Sequence, residues 1–392
     1  MHSAVDFDDL DRLLAAHRHW WQPAPFRHAE IPWLQNHGRA GQALLALSDD
    51  DYQSLRTDDS AARRFLCALF PDLRELDRFP EPDAPDLPAG FTEPTHMAGR
   101  KAAQVACFCN ALESPTGHLV EWCAGQGWLL EQALKQFPAH TGIGLERTLR
   151  LCQQGNARMR KRGLSGLLLE ADVMDESTLP ALDGNDTVLA LHACGHLHQQ
   201  LVQWAPHQQA GHILLSPCCY HLGERRALSR TAARGRLAAD SIDPHLAVQD
   251  LTTGHSNRSK RQEKAVAWRL GYDSLRQHLC ADTLYRPLRS MPGSVWQGDF
   301  ADFCQLAAAH HGISLPRETD WPYWLSRGEK RRGEVRRLEL LRRQYRRLLE
   351  WWLVLDAGYA LAEQGYQVSV APFCDPQYTP RNLLVSARRD RP

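Results

Sequence analysis

No apolar stretch in the 392-residue sequence approaches the ~20 residues needed to span a bilayer. A secretory leader pattern is missing as well. The opening MHSAVDFDDLDRLL carries acids where a leader needs a basic segment and then an apolar one. Excess charge of either sign is absent, with 46 basic and 46 acidic side chains, which excludes a uniformly basic nucleic-acid binder but not a local basic patch. No C-x-x-C occurs. The 11 cysteines are odd in number and irregularly spaced, so reduced thiols fit better than a disulfide framework. Repeats and low-complexity tracts are also lacking. With 43 % hydrophobic and 23 % charged residues, the composition excludes disordered, collagen-like and coiled-coil classes. The expectation is a soluble, cytoplasmic enzyme.

Three compositional zones are present. Residues 1 to about 90 are helical in pattern and end in FPEPDAPDLPAG, whose prolines and terminal glycine read as a linker. From about 91 to 221, strand-length apolar runs (HLVEWCA, TGIGLE, GLLLEAD, TVLALHA, HILLSP) alternate with helical stretches. That alternation predicts a parallel sheet with helices on both faces. Residues 222 to about 340 turn polar and partly helical, with basic clusters. The end returns to α/β character, with a helix stopping near Gly365 and two strands, QVSVAPF and NLLVSARR.

The strongest local signal is HLVEWCAGQGWLLEQAL, residues 118–134. A strand runs into a turn holding Gly125 and Gly127, and a helix follows at once. Glycine lets the backbone turn sharply and approach a ligand, and the helix start offers unpaired N–H groups. The third glycine of G-x-G-x-x-G is replaced by Leu130, and no Gly-Lys-Ser/Thr of a P-loop occurs. Glu146 closes the second strand, placed to accept hydrogen bonds from ribose hydroxyls. Asp172 follows the third strand, where it could take a donor from an adenine amine. Turn glycines, a ribose acid and an adenine acid at three successive strand ends are the pattern of Rossmann-like S-adenosylmethionine (SAM) methyltransferases. Cys123 and Ala124 in the turn, and Val173 beside Asp172, complete the expected cofactor contacts.

In open α/β sheets the ligand lies beyond the carboxyl ends of the strands. The fourth expected strand ends in LHACGHL and the fifth in LLSPCCYH, which together concentrate His192, Cys194, Cys218, Cys219, Tyr220 and His221. Three roles compete for the cysteines. One could be a nucleophile adding to a pyrimidine ring, several could hold a metal, or all could be packing. Adjacent Cys218 and Cys219 are poor chelating geometry and no C-x-x-C occurs, so no metal is assigned. Histidine as general base, or as part of the substrate pocket, stays open.

The set MAGRKAAQV (97–105), VEWCAGQGW (120–128), GIGLER (142–147), LHACGHL (191–197), PCCYH (217–221) and DPQYTPRNLLVSA (375–387) resembles one family. This is the methyltransferase-like family that includes the ribosomal RNA adenine dimethylase domain-containing protein and the glutathione S-transferase C-terminal domain-containing protein. More distantly the sequence is similar to the tRNA ribose 2′-O-methyltransferases, which pair H-L-C-G and C-C-H-H motifs at the same strand ends. The resemblance implies a Rossmann-like class I SAM-dependent methyltransferase. It has a helical N-terminal domain (1–90), a core (91–221), a basic helical insertion after the fifth strand (222–340), and a last helix with a closing antiparallel pair (341–392). It further implies that Gly125, Gly127, Glu146 and Asp172 bind SAM, and that Lys101 reaches the cofactor or substrate. His192 would serve both sites, and Cys194, Cys218, Cys219 and Tyr220 would border the acceptor. Where the family often has H-x-C-G-D, this chain has His196.

Between Arg327 and Arg347 stand ten Lys or Arg and three acids, with Trp321, Tyr323 and Trp324 just upstream. Cations beside aromatics can hold phosphates and stack bases, and SNRSKRQEK (256–264) adds a second basic segment. RNA, as tRNA or rRNA methylated on a ribose hydroxyl or a base, is therefore the expected acceptor. The alternatives are a protein or small-molecule acceptor, or a SAM-binding scaffold without catalysis. Arg381 and Asn382 are expected to hold the closing loop by hydrogen bonds, with substrate contact as the alternative.

Overall fold

The computed structural model describes residues 1–28, 30–93, 97–249 and 257–389, with 257–259 described in backbone only. The chain forms two compact units, Met1–Ala15 with Arg78–Gln249 and Arg346–Pro392, and Ala16–Asp77 with Asp250–Tyr345.

The first unit is built on an eight-stranded sheet: β1 (His2–Ser3), β2 (Leu119–Trp122), β3 (Gly142–Glu146), β4 (Gly166–Glu170), β5 (Thr187–Cys194), β6 (His212–Cys218), β7 (Tyr366–Pro372) and β8 (Leu383–Arg389). Their spatial order is β1-β7-β8-β6-β5-β2-β3-β4. Strands β2 to β6 pair in parallel, whereas β8 runs antiparallel between β6 and β7. This is a Rossmann-like architecture with an antiparallel closing pair. The sequence reading missed only β1, two residues pairing parallel to the edge of β7 and too short to carry a pattern. The expected fifth strand is thus β6.

Every residue of β2 and β6 is buried, as expected for strands covered on both faces. One face packs Leu119, Leu189 and Leu214 against Phe108 of helix Gly99–Asn110, Leu130 of helix Trp128–Gln136 and Met159 of helix Leu149–Lys161. On the other, Trp122 meets Trp204 of helix His196–His207 at 5.0 Å, and its Nε1 donates to the Leu197 carbonyl at 3.0 Å.

The unit boundaries differ from those expected at residues 90, 221 and 340. Residues 1–15 join the sheet unit because Phe7 packs on Trp352 and Tyr359 of helix Arg346–Ala362, at 5.5 and 5.3 Å. Buried Asp11 accepts from Trp352 Nε1 and from the amides of Arg236 and Leu237, which also ties 222–249 into this unit. Asp356 likewise holds the amides of Leu228 and Ser229, each at 2.8 Å.

In the second unit Trp20 lies among Trp33, His37 and Phe70, with centroids 4.8 to 5.4 Å away. A separate cluster gathers Trp268, Tyr272, Phe300, Phe303 and Cys304. Trp321 and Trp324, expected as base-stacking rings, pack against that cluster, whereas Tyr323 is exposed.

The arginine-rich run has a structural role within each unit. In helix Trp321–Arg342, Arg331 pairs with Asp273 at 3.2 Å, Arg332 with Glu263 at 3.3 Å and Arg337 with Asp49 at 2.9 Å. Arg336 lies over the Tyr52 ring at 4.4 Å, and buried Arg342 donates to the Trp21 carbonyl at 2.6 Å. Arg343 pairs with Asp59, and in the sheet unit Arg347 pairs with Glu350 and Glu81. Arg327 and Lys330 remain exposed. The run alternates with apolar contacts, so its guanidinium groups bind local acids and carbonyls instead of forming one open patch. Of the 256–264 segment, Ser256 lies outside the described residues. The rest begins helix Asn257–Cys280, where Lys264 donates to the Trp296 carbonyl at 3.0 Å.

Candidate active site

The turn after β2 winds through three left-handed residues: Cys123 (φ +56°), Gly125 (φ +58°) and Gly127 (φ +73°). Gly127 leads helix Trp128–Gln136 and lies where a side chain would strike Leu168 at 2.8 Å. At Gly125 the opposite holds. A side chain there would meet nothing within 4 Å, so the glycine leaves an open cradle. Behind the turn, Arg158 stacks on Trp128 at 3.6 Å, pairs with buried Glu131 at 2.5 Å and donates to the Gln126 carbonyl.

Glu146 at the end of β3 accepts from the Gly125 amide at 3.0 Å and the Thr148 amide at 2.8 Å, one bond to each oxygen. Half-buried Asp172 accepts from the Met174 amide at 3.0 Å and is followed by buried Val173. Ala124 is buried and Cys123 half-buried. Lys101 is exposed on helix Gly99–Asn110. Preset carboxylates at two neighbouring strand ends, around an open glycine turn, fit the ribose and adenine ends of SAM. In that fit Glu146 and Asp172 would hold the nucleoside, with Gly125 under it.

Sequence reasoning missed Glu121, the buried acid on β2, which accepts from the Leu130 amide at 3.0 Å. Burial pushes its carboxyl up to about 8, against the pull of the Leu130 amide and the Lys101 and Arg158 charges. A lone acid within an otherwise apolar strand was the available signal.

His192 is the extra residue of a bulge between β5 and β6, where the register slips between Leu191 and Ala193, and its φ is +60°. Bulges re-aim side chains at strand ends. Its Nε2 lies 3.1 Å from Gln104 Oε1, while Gln104 Nε2 donates to the Tyr378 carbonyl at 2.5 Å. That second bond orients the amide, so Gln104 presents oxygen to His192. His192 therefore carries its proton on Nε2, and Nδ1 keeps its lone pair. Burial, then the charges of Arg381 and Lys101, push the imidazole down to about 4.

Cys194, Cys218 and Cys219 bring their Sγ atoms within 4.8 Å of one another. Cys218 is buried and the other two are half-buried. Tyr220 follows but faces inward, its hydroxyl donating to the Pro217 carbonyl at 3.2 Å and to Glu350 at 3.4 Å. His221 stacks on His245 at 4.8 Å. In the closing loop, Asn382 donates to the Cys374 carbonyl at 2.6 Å and accepts from Arg347 at 2.7 Å, and Arg381 lies 3.5 Å from buried Glu350. The three thiols thus lie together beside the His192 carbonyl, whereas the Tyr220 hydroxyl is committed to the interior.

A family model of the methyltransferase domain matches residues 100–225. No curated protein matches the chain in sequence. Among solved structures, the chain is similar to geranyl diphosphate methyltransferase in complex with GPP and sinefungin. That likeness has 13 % identity and a TM-score of 0.25, over 35 % of this chain and 55 % of that one. It is also similar to the plantazolicin methyltransferase BpumL bound to a desmethylPZN analogue and SAH (16 %, TM-score 0.23, 43 % and 60 %). A third is coclaurine N-methyltransferase bound to N-methylheliamine and SAH (14 %, TM-score 0.26, 54 % and 58 %). The chain thus spans 55 to 60 % of the length of these proteins. Residues 100–225 match a methyltransferase domain and lie on a sheet of Rossmann-like order.

Proposed function

We propose that the chain transfers a methyl group directly to a nucleophilic atom of an acceptor brought to the ends of β5 and β6. The observation that carries this reading is His192, re-aimed by a bulge and locked in one tautomer by Gln104. When bound, SAM supplies an electrophilic methyl group on a positively charged sulfur. Glu146 and Asp172 would hold its nucleoside, and the open backbone at Gly125 would let it approach closely. His192 Nδ1 would take the proton of an acceptor O–H or N–H, while Gln104 steadies the ring through Nε2. Arg381, anchored beside Glu350, would fix the closing loop near that ring.

For the acceptor we carry RNA, on a narrower basis than the sequence suggested. The exposed cations Lys260, Arg327 and Lys330 and exposed Tyr323 support it, whereas the paired arginines do not. A protein or small-molecule acceptor and a non-catalytic SAM-binding scaffold are the alternatives. Tritium-labelled SAM, purified protein and extract from cells lacking the gene separate these readings. Label in RNA, absent with Glu146→Ala and His192→Ala, supports the proposal. Label in protein or small molecules replaces RNA with that class. SAM binding without label in any fraction overturns catalysis in favour of the scaffold.

A further inference from the structure

We infer that Cys194, Cys218 and Cys219 bind one Zn²⁺ ion at the carboxyl ends of β5 and β6, with a fourth position left open toward solvent or acceptor. Three soft donors converge there, their Sγ atoms all within 4.8 Å of one another. Zn–S bonds of about 2.3 Å in a tetrahedral site place sulfurs about 3.8 Å apart. Cys194 and Cys218 now stand at 3.1 Å and would open by less than an ångström, while Cys219, within 4.8 Å of both, completes the set by a shift of similar size.

The backbone answers the objection that adjacent cysteines chelate poorly. Neighbours in an extended strand point to opposite faces. Cys219 leaves the strand at φ +48°, ψ +43°, a left-handed conformation uncommon outside glycine, and this turns its thiol back toward that of Cys218. On the facing strand the bulge at His192 shifts the register, so that Cys194 stands opposite Cys218. Two left-handed non-glycine residues, His192 and Cys219, therefore flank one group of thiols, and such outliers concentrate at functional sites.

Packing by itself leaves this convergence without a reason. Both Cys194 and Cys218 direct their S–H toward one acceptor, the His192 carbonyl, at 3.4 and 3.3 Å. Simple buried thiols elsewhere in the chain, such as Cys67 and Cys304, form no such group among the described residues. Three cysteines, giving up their S–H protons to solvent as the ion binds, suit a soft d¹⁰ cation above oxygen-preferring metals. The inference does not depend on methyl transfer, and it would stand for a scaffold as well.

The test uses tag-free, full-length protein from zinc-supplemented cells, purified without chelators. Zinc per chain is counted by mass spectrometry of the metal, and cofactor binding is measured on the same samples by calorimetry with S-adenosylhomocysteine. One zinc per chain, lost in Cys194→Ser and in Cys219→Ser but kept in Cys280→Ser, is the expected result. Cobalt exchanged into the site should show thiolate-to-metal charge transfer and the intense visible bands of tetrahedral coordination. Circular dichroism checks that the variants are folded. Metal-free wild-type protein, or zinc retained in both cysteine variants, overturns the site. Loss of cofactor binding in a zinc-loaded protein would instead count against the methyltransferase reading alone.

Discussion

The amide of Gly125 donates to the Glu146 carboxylate across 3.0 Å, joining the turn after β2 to the end of β3. Thr148 holds the second oxygen, so the acid is oriented before any ligand arrives. Its remaining lone pairs can then be offered to ribose hydroxyls with little loss of side-chain entropy. Glu146→Ala should weaken S-adenosylhomocysteine binding by about 10- to 100-fold, as expected for hydrogen bonds to a charged group. Calorimetry measures this, and an unchanged affinity would remove Glu146 from the cofactor site.

The two turn glycines should fail differently. Alanine at either position meets a left-handed backbone, at about 1–2 kcal/mol. At Gly127 the new side chain also strikes Leu168, so Gly127→Ala should lower the melting temperature more. Gly125→Ala adds a methyl group to open space and should chiefly abolish ligand binding. Equal melting temperatures for the two variants would argue against the Leu168 contact.

Removing the proposed base, by His192→Ala, should reduce the methyl-transfer rate by about 10²–10⁴-fold with little change in cofactor affinity. Gln104→Ala frees the ring to change tautomer and should lower the rate by a smaller factor. Initial rates alongside binding isotherms separate these effects. A fully active His192→Ala variant would discard the base assignment.

Glu121 should make stability pH-dependent. Its folded carboxyl lies at about 8 through burial, above the ordinary 4.5. Between those values the unfolded chain releases a proton that the folded chain retains, so this contribution to stability falls as pH rises from 4.5 to 8. Glu121→Gln removes the titration. Its melting temperature relative to wild type should therefore climb across that window and level off above it. A constant difference from pH 5 to 9 would show that Glu121 ionises normally.

The arginine run should prove structural. Arg342→Ala leaves the Trp21 carbonyl without its 2.6 Å donor and takes a buried charge from Glu339, which should cost about 3 kcal/mol. Arg327→Ala, at an exposed position, should change stability by no more than about 0.5 kcal/mol. Denaturant melts of both variants decide the matter, and similar midpoints would restore the run as a free surface.

Local pattern made the sheet readable. The runs around Val120, Ile143, Leu168, Leu189 and Leu214 are strand-length and apolar; each became a strand of the sheet, those of Val120, Leu189 and Leu214 in its covered centre and that of Leu168 at its edge. Gly125, Gly127, Glu146 and Asp172 were legible because backbone turns and strand ends are set by residues adjacent in the chain. No short-range signal reports long-range partners, and these were decided only in three dimensions. Asp11 is bound to residues 236, 237 and 352, and Glu121 is buried beneath a helix start. The arginines of 331–347 are neutralised by acids far along the chain, including Asp49, Asp59 and Glu81. The same holds at the strand ends. Sequence placed Cys194, Cys218 and Cys219 at the ends of two strands facing one ligand, but not how close their sulfurs come. Parallel pairing, one bulge and one left-handed residue brought their sulfurs together, because register and backbone handedness are properties of the assembled sheet.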